Sequence, residues 1–274
     1  MNQPATSITF ACYNQLDYTR QCVESLVRTG FELGRVVVVD NGSTDGTQAY
    51  LASLPFGSVI CNRQNLGCGV AWNQGALAQQ AEWTIVMNND VVVTEGWLDK
   101  LIATAQARGL AVASPAMVEG KLDYDLEGLA REAGQKMADC IRQGDRHAVC
   151  MAIHQSVWGK VGYFRATPSL WGYEDSLFFH ELDKAGIPCG IVGSSWIHHF
   201  GSVTLSALKR ERGLKERDGL SGRNSYRLLG KSWWQRKWDK RQAIQRREQW
   251  QTNELAEFGM TLHGERVDGA FSWH

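Results

Sequence analysis

Four short apolar segments in the N-terminal third each run into a polar tip, and this repeat limits the possible folds more than any other feature. SITFACYN (7–14) ends in Tyr13-Asn14, VVVVDN (36–41) in Asp40-Asn41, SVICN (58–62) in Asn62, and EWTIVMNND (82–90) in Asn88-Asn89-Asp90. Segments with a helical pattern separate them. YTRQCVESLVRTG places Cys22, Val23 and Leu26 on one face with Gly30 as C-cap, and TQAYLASL can be capped by Ser43 or Thr44. NLGCGVAWNQGALAQQA reads as a glycine-rich turn entering a third helix. The β-branched run VVVV is of the kind that parallel sheets bury on both faces. This β-α-β-α-β-α-β order predicts an open α/β sheet, parallel at its start. In such sheets ligands sit beyond the carboxyl ends of the strands, which is where all four polar tips fall.

Further along, GWLDKLIATAQARG predicts a helix and LAVASPAMV a strand. Residues 119–147 are polar, with AREAGQKMADCIRQG an insertion or connecting helix. HAVCMAIH is a further strand. An aromatic loop then leads into a helix starting near Asp175, and CGIVGSSWIHHF is a last strand ending in two histidines. The composition is 43% hydrophobic and 21% charged, ordinary for a soluble chain. No apolar run approaches the roughly 20 residues of a membrane span, and MNQPATSITF lacks the regions of a signal peptide, so a cytoplasmic setting is expected. Seven cysteines form no CxxC pair, which favours reduced thiols and argues against a zinc site.

A formal net charge of zero conceals an asymmetry, because residues 205–250 hold 14 Lys/Arg against 5 Asp/Glu. Such a segment suits an anionic partner. Within it, Trp233, Trp234, Trp238 and Trp250 interleave with Lys and Arg. Three readings stand: a helix packing its tryptophans on the rest of the chain, an interfacial helix seated on anionic membrane, or a source of Arg223 or Lys231 for a phosphate. No nucleic-acid motif accompanies the charge, so nucleic acid is not an expected partner.

The tips themselves carry candidate chemistry. Glycines 67, 69 and 75 do not make GxGxxG, and the loop lacks the Gly-Lys-Ser/Thr of a Walker A motif. Gly67 and Gly69 either pack the helix tightly on the sheet or open a nucleotide site, where Asn65 and Asn73 can read a base or ribose without adding negative charge. Asp90 is either a turn residue or a carboxylate of the kind Mg²⁺ or Mn²⁺ binds together with substrate phosphates. Glu174 and Asp175 open a helix: Asp175 can be its N-cap or a general base. His198 or His199 can be structural or can offer a neutral imidazole to a metal.

The segments ITFACYN, VVVVDNGSTDGT, NLGCGVAWNQG, VMNNDVVV, GYEDSLF and HHFGSVT, in this order, resemble the inverting family-2 glycosyltransferases of GT-A fold, in particular the bacterial branch that builds O-antigen, capsule and related surface glycans. The resemblance implies an open mixed, mostly parallel sheet flanked by helices with a Rossmann-like nucleotide-binding half. It assigns residues 1–205 to the GT-A domain and leaves 206–274 as a basic, Trp-rich helical extension. It implies that Cys12, Tyr13, Asn14, Asp40, Asn65, Gly67, Asn73, Asn88 and Asn89 bind the nucleotide sugar, with Asp40 accepting from the base. Asp90 and His199 would hold Mn²⁺ or Mg²⁺, Asp175 would be the catalytic base, and Trp171, Tyr173 and Glu174 would border the acceptor. His199 fits better than His198 because Gly201 and Thr204 then fall at the family's offsets. The implied partners are a nucleotide-sugar donor, a glycan or lipid-linked acceptor, and anionic membrane at the inner face. One departure stands out: Asn88 occupies the first carboxylate position of the family's DxD motif. A degenerate, glycan-binding subunit and a sugar-phosphate nucleotidyltransferase are the alternatives. The second would need a basic glycine-rich triphosphate loop that FACYNQLDY does not supply.

Overall fold

The computed structural model describes residues 5–166, 174–201, 203, 207, 213 and 229–274. The first half alternates as the pattern predicts: β1 (Thr6–Cys12), α1 (Leu16–Arg28), β2 (Val36–Asp40), α2 (Thr47–Ala52), β3 (Ser58–Cys61), α3 (Cys68–Ala78) and β4 (Trp83–Asn88). Next come β5 (Val91–Val93), α4 (Trp97–Ala107), β6 (Val112–Gly120), α5 (Leu126–Lys136), β7 (Ile141–Gln143), β8 (Cys150–His154), α6 (Gln155–Val161), α7 (Glu174–Lys184) and β9 (Cys189–His199). The last elements are α8 (Trp233–Phe258), β10 (His263–Val267) and β11 (Ala270–Trp273).

The strands form one mixed sheet in the order β11-β10-β6-β8-β4-β1-β2-β3. Strand β1 lies between β2 and β4, parallel to both. Strand β8 runs antiparallel to β4 and β6, while β9 pairs parallel with β6 and antiparallel with β5 and β7. All five residues of β2 are buried, as expected for a strand covered on both faces. The strand period then sends alternate residues to opposite layers. Ile85 and Met87 join Ile8, Phe10 and Val38 beneath α1 and α4, whereas Val86 joins Met151, Ile153 and Trp72 beneath α7. Helix α1 supports the first layer through Cys22, Val23 and Leu26, spaced one turn apart from Thr19.

The structure departs from the sequence expectations in three places. The stretch AREAGQKMADCIRQG is part of a helix followed by a short strand, α5 and β7, and β7 pairs with β9. Among the described residues of the C-terminal extension, the one long helix is α8. The extension continues as a hairpin whose first strand, β10, pairs parallel with β6. A buried bidentate pair, Arg142 Nε to Glu254 Oε1 at 2.7 Å and Nη2 to Oε2 at 2.8 Å, fastens α8 to the sheet beside β7. The third concerns the glycines of α3. The residue packed on the sheet is Gly75, where a Cβ would collide with Thr9 of β1. Gly69 instead packs on α7, where a Cβ would lie 2.8 Å from that of Glu174. Gly67 supplies a backbone φ of +88° at the helix entry, a region that only glycine adopts freely.

Candidate active site

A cleft of about 470 Å³ opens at the carboxyl ends of β1, β4, β6 and β9. Ala11, Cys12, Tyr13, Asn65 and Gly67 line one side, with Trp72 in the wall. Asn88, Asn89, Asp90 and His199 line another, facing Glu174 and Asp175 on the first turn of α7. Of the residues expected in the site, Asn14, Asp40 and Asn73 are not in this lining. Trp171 and Tyr173 lie outside the described residues, as do Thr204 and Arg223.

The tips of the first three strands are tied to one another. Asn14 Oδ1 accepts from Thr44 N at 2.8 Å, its own N donates to Ser43 Oγ at 2.8 Å, and Leu16 N donates to Asp45 Oδ2 at 3.0 Å. These bonds hold the loops after β1 and β2 together and stabilise the left-handed backbone of Asn14, φ 53°. Asp40 is fully buried, and its carboxylate accepts from the N–H groups of Gly42 and Ser43 and from Gln48 Nε2 at 2.7 Å. An amide chain continues across the sheet edge. Asn62 Nδ2 donates to Asn41 Oδ1 and to Gln74 Oε1, both at 2.9 Å, and Gln74 Nε2 donates back to Asn62 Oδ1. Asn65 Oδ1 accepts from Gly67 N at 2.9 Å, which shapes the turn. Asn73 exchanges two hydrogen bonds with the backbone of Phe164, at 2.7 and 3.0 Å, and so pins the chain that enters the loop before α7.

The β4–β5 tip is built differently. Strand β4 ends at Asn88, and Asn89 turns inward to donate to Thr19 Oγ1 at 2.9 Å. Strand β5 pairs antiparallel with β9 in a register that sets Val91 opposite His199, and Phe200 N donates to Asp90 O at 3.0 Å. This register brings Asp90 beside His199. Both side chains are almost wholly buried, with Asp90 Oδ1 and His199 Nε2 3.3 Å apart. The two atoms lack the alignment of a hydrogen bond and have no other partner. His199 Nδ1 is 2.7 Å from Glu119 Oε1, and Glu119 Oε2 is 2.9 Å from His263 Nε2. Burial alone would lower the pKa of His199, but Asp90 and Glu119 together outweigh it and raise it to about 9. The hydrogen bonds from His199, then from His263, hold the Glu119 carboxyl far below the usual range.

The strand period separates the two neighbouring histidines. His198 points to the opposite side, where its Nδ1 meets Tyr124 Oη at 2.9 Å, and burial lowers its pKa to about 4. Asp175 lies within the first turn of α7, so the N-cap reading does not describe it. Its Oδ1 accepts from Ser176 N at 2.6 Å. Burial raises Glu174 to about 7, with the adjacent Asp175 adding to the shift.

Asp90 Oδ1 and His199 Nε2 fit a divalent cation. Without a cation they form a buried ion pair; once His199 gives up its proton they are two converging ligand atoms, one a carboxylate oxygen and the other an imidazole nitrogen. Among the described residues no cluster of three or more His, Cys, Asp or Glu side chains could hold such an ion, so its remaining ligands would come from bound phosphate. Sequence reasoning missed Glu119, Arg146, His147 and Phe179, all in the cleft lining. Glu119 was within reach, because it follows the strand LAVASPAMV as the other tips follow theirs. Arg146 is held by Asp183 and Phe179 O, at 2.8 and 2.9 Å, contacts across the fold that no local pattern announces.

In the C-terminal segment, Trp233, Trp234 and Trp238 are 50%, 74% and 64% exposed. Trp250 is half-buried, with the Arg142 guanidinium 5.8 Å from its ring centre. Packing on the rest of the chain therefore describes Trp250 and not the other three. Lys231 is engaged by Asp239 at 2.7 Å. Among the described residues no helix is long and apolar enough to cross a membrane.

The family model described as "Glycosyl transferase family 2" matches residues 7–166. The succinoglycan biosynthesis protein ExoO of Rhizobium meliloti is 35% identical over 121 residues, which is 41% of this chain and 35% of that protein. The N-acetylglucosaminyl-diphospho-decaprenol L-rhamnosyltransferase of Mycobacterium tuberculosis is 35% identical over 209 residues, 60% of this chain and 66% of the relative. The chain thus spans about a third of the first relative and about two thirds of the second. Among solved structures, the fold is shared with GalNAc-T7 in complex with UDP, GalNAc and Mn²⁺, at TM-score 0.56, 13% identity, 73% of this chain and 44% of that one. It is shared also with the mannosyltransferase PcManGT of Pyrobaculum calidifontis with GDP-Man and Mn²⁺, at TM-score 0.54, 15% identity, 77% and 61% coverage. The open mixed sheet with flanking helices is that of the GT-A fold.

Proposed function

The chain belongs to glycosyl transferase family 2, and from that premise we propose that it moves a sugar from a nucleotide-sugar donor to a hydroxyl of a glycan or lipid-linked acceptor, with inversion, in bacterial surface polysaccharide synthesis. The observation that carries this reading is that one cleft is lined by Asp175 and by the buried pair Asp90 and His199. The succinoglycan and rhamnosyl-transfer relatives support the pathway class and the lipid-linked acceptor. The neighbours holding UDP or GDP-mannose with Mn²⁺ support the donor and the cation.

In this reading Tyr13, Asn65, Gly67, Asn88 and Asn89 border the donor. The Asn88 amide offers hydrogen bonds to ribose or phosphate without adding charge next to a dianion, while Asn89, tied to Thr19, shapes the tip. Asp175, whose plane is fixed by the bond from Ser176 N, takes the proton of the acceptor hydroxyl through its other oxygen as that hydroxyl attacks the anomeric carbon. The attack comes from the face opposite the diphosphate, which inverts the configuration. Asp90 and His199, together with donor phosphate, would hold Mn²⁺ or Mg²⁺, which when bound would supply positive charge against that building on the leaving diphosphate. Glu174, Trp171 and Tyr173 border the acceptor, aromatic faces suiting a sugar's apolar side.

The test is Asp175→Asn. General-base help is worth about 10²–10⁴-fold, so transfer falls by that factor while donor affinity holds, read by radiolabelled sugar transfer and by calorimetry. Unchanged transfer removes Asp175 from the role, and a chain with neither transfer nor donor hydrolysis returns to the binding-subunit alternative.

The exposed tryptophans of α8 support a peripheral contact with anionic lipid. They stand among Arg236, Lys237, Lys240 and Arg241, with Lys237 Nζ 4.0 Å from the Trp233 ring centre. Aromatic rings at headgroup level flanked by cations are how an interfacial helix seats itself. Sedimentation with phosphatidylglycerol vesicles should carry the protein down and Trp234→Ala/Trp238→Ala should weaken this. Equal recovery with and without vesicles rejects the contact.

A further inference from the structure

Asp90, His199, Glu119 and His263 come from four neighbouring strands and touch in sequence, although by register Asp90 precedes the Val91 that pairs with His199 and His263 sits opposite Met117. Strand β9 lies between β5 and β6, and β6 lies between β9 and β10. His199 and Glu119 are direct register partners on parallel strands. An imidazole can bind a cation through Nε2 only if its proton sits on Nδ1, and an acceptor at Nδ1 is what fixes that tautomer. Glu119 Oε1 occupies this place at 2.7 Å. Its side chain is partly exposed and would be free to turn toward solvent, but His263 Nε2 holds the second oxygen at 2.9 Å.

His263 is itself placed from a distance. Glu254 Oε2 accepts from Leu262 N at 2.9 Å, and Glu254 is clamped by Arg142. Arg142 Nη2 and Thr261 Oγ1 both donate to His274 O, at 2.8 and 2.7 Å, which closes the hairpin. We infer that Glu119 and His263 are positioning residues for His199, so that the C-terminal hairpin, which offers no ligand of its own, sets the affinity of the cation site. The inference rests on the cation reading of Asp90 and His199 given above.

The experiment titrates Mn²⁺ into the full chain with saturating nucleotide, chosen from UDP, GDP or dTDP by the largest rise in melting temperature, and follows free Mn²⁺ by electron paramagnetic resonance. Loss of a residue supporting a metal ligand typically weakens affinity about 10–100-fold, and Glu119→Ala, which leaves His199 Nδ1 without its acceptor, is expected in that range. His263→Ala should lose less, and His263→Gln, whose amide can still donate to Glu119, should regain most of that loss. Nucleotide affinity in EDTA stays at the wild-type value in all three, a readout that general unfolding would not spare. His199→Ala is the reference. If it loses Mn²⁺ while Glu119→Ala and His263→Ala bind as the wild type does, the positioning role is overturned and the cation site stands. If His199→Ala itself binds Mn²⁺ normally, the cation reading falls and takes the inference with it.

Discussion

Asp40 and Asp90 make an informative pair. Both are aspartates at the carboxyl end of a sheet strand, both follow a run of apolar residues, and both are buried, at 0% and 3% exposure. Asp40 is held from within: two backbone N–H groups and the Gln48 amide donate to its Oδ2, Ser43 N reaches its Oδ1 at 3.4 Å, and the tips around it are linked by Asn14, Asn41 and Asn62. Asp90 keeps an oxygen without a partner, facing a histidine nitrogen in the same condition. A buried polar atom left without a hydrogen bond costs free energy. The first three strand tips are thus tied to one another, with Cys12, Tyr13 and Asn41 still reaching the cleft, while the fourth meets β9 through Asp90 and His199.

This contrast can be broken most directly by exchanging the roles. Asp40→Ala strands its donors and should cost on the order of 2–3 kcal/mol of stability, seen as a fall in melting temperature with or without ligand. Asp90→Asn should abolish the additional stabilisation that Mn²⁺ gives with nucleotide, and in EDTA it should lower the melting temperature only where His199 is protonated, because it removes that cation's partner. If Asp90→Asn destabilises the metal-free chain as much as Asp40→Ala does even where His199 is neutral, the two tips are alike and the distinction fails.

A smaller effect sharpens the comparison on the other wall of the cleft. Glu174 ionises at about 7 in the folded chain against 4.5 for a free carboxyl. Below the lower value both folded and unfolded forms are protonated. As pH rises, the unfolded chain ionises first, so stability declines through this window and the penalty is complete above the folded value. Glu174→Gln is therefore expected to melt at a higher temperature than wild type near pH 8 and to match it near pH 4.5. Parallel pH dependence of the two proteins would show that Glu174 is not desolvated.

The alternating strands and helices up to Asp90 were legible because apolar period and turn chemistry are local properties, and the strand-tip rule located the cleft. It did not separate tips that hold loops from tips that face a ligand, because that depends on Gln48, Ser43 and Thr19 arriving from other elements. The glycines show the same limit. Their spacing announced a tight approach in α3, but only the packing revealed that Gly75 meets β1 and Gly69 meets α7. Asn73 was noticed for its amide, while its bond to Phe164 spans the fold. The hairpin β10–β11 was overlooked because its few residues are half polar, and the pairing with β6 decides their state.

By itself the sequence determined the α/β class, the family and the set of polar residues available at the strand ends, since these follow from short-range pattern and motif order. Tertiary structure alone decided which of them converge. Antiparallel pairing of β5 with β9 put Asp90 against His199 and turned His198 away. Parallel pairing of β6 with β9 and β10 set Glu119 between two histidines drawn from distant parts of the chain. Register is fixed by burial of whole strands, an energy summed over the sheet that no single segment carries.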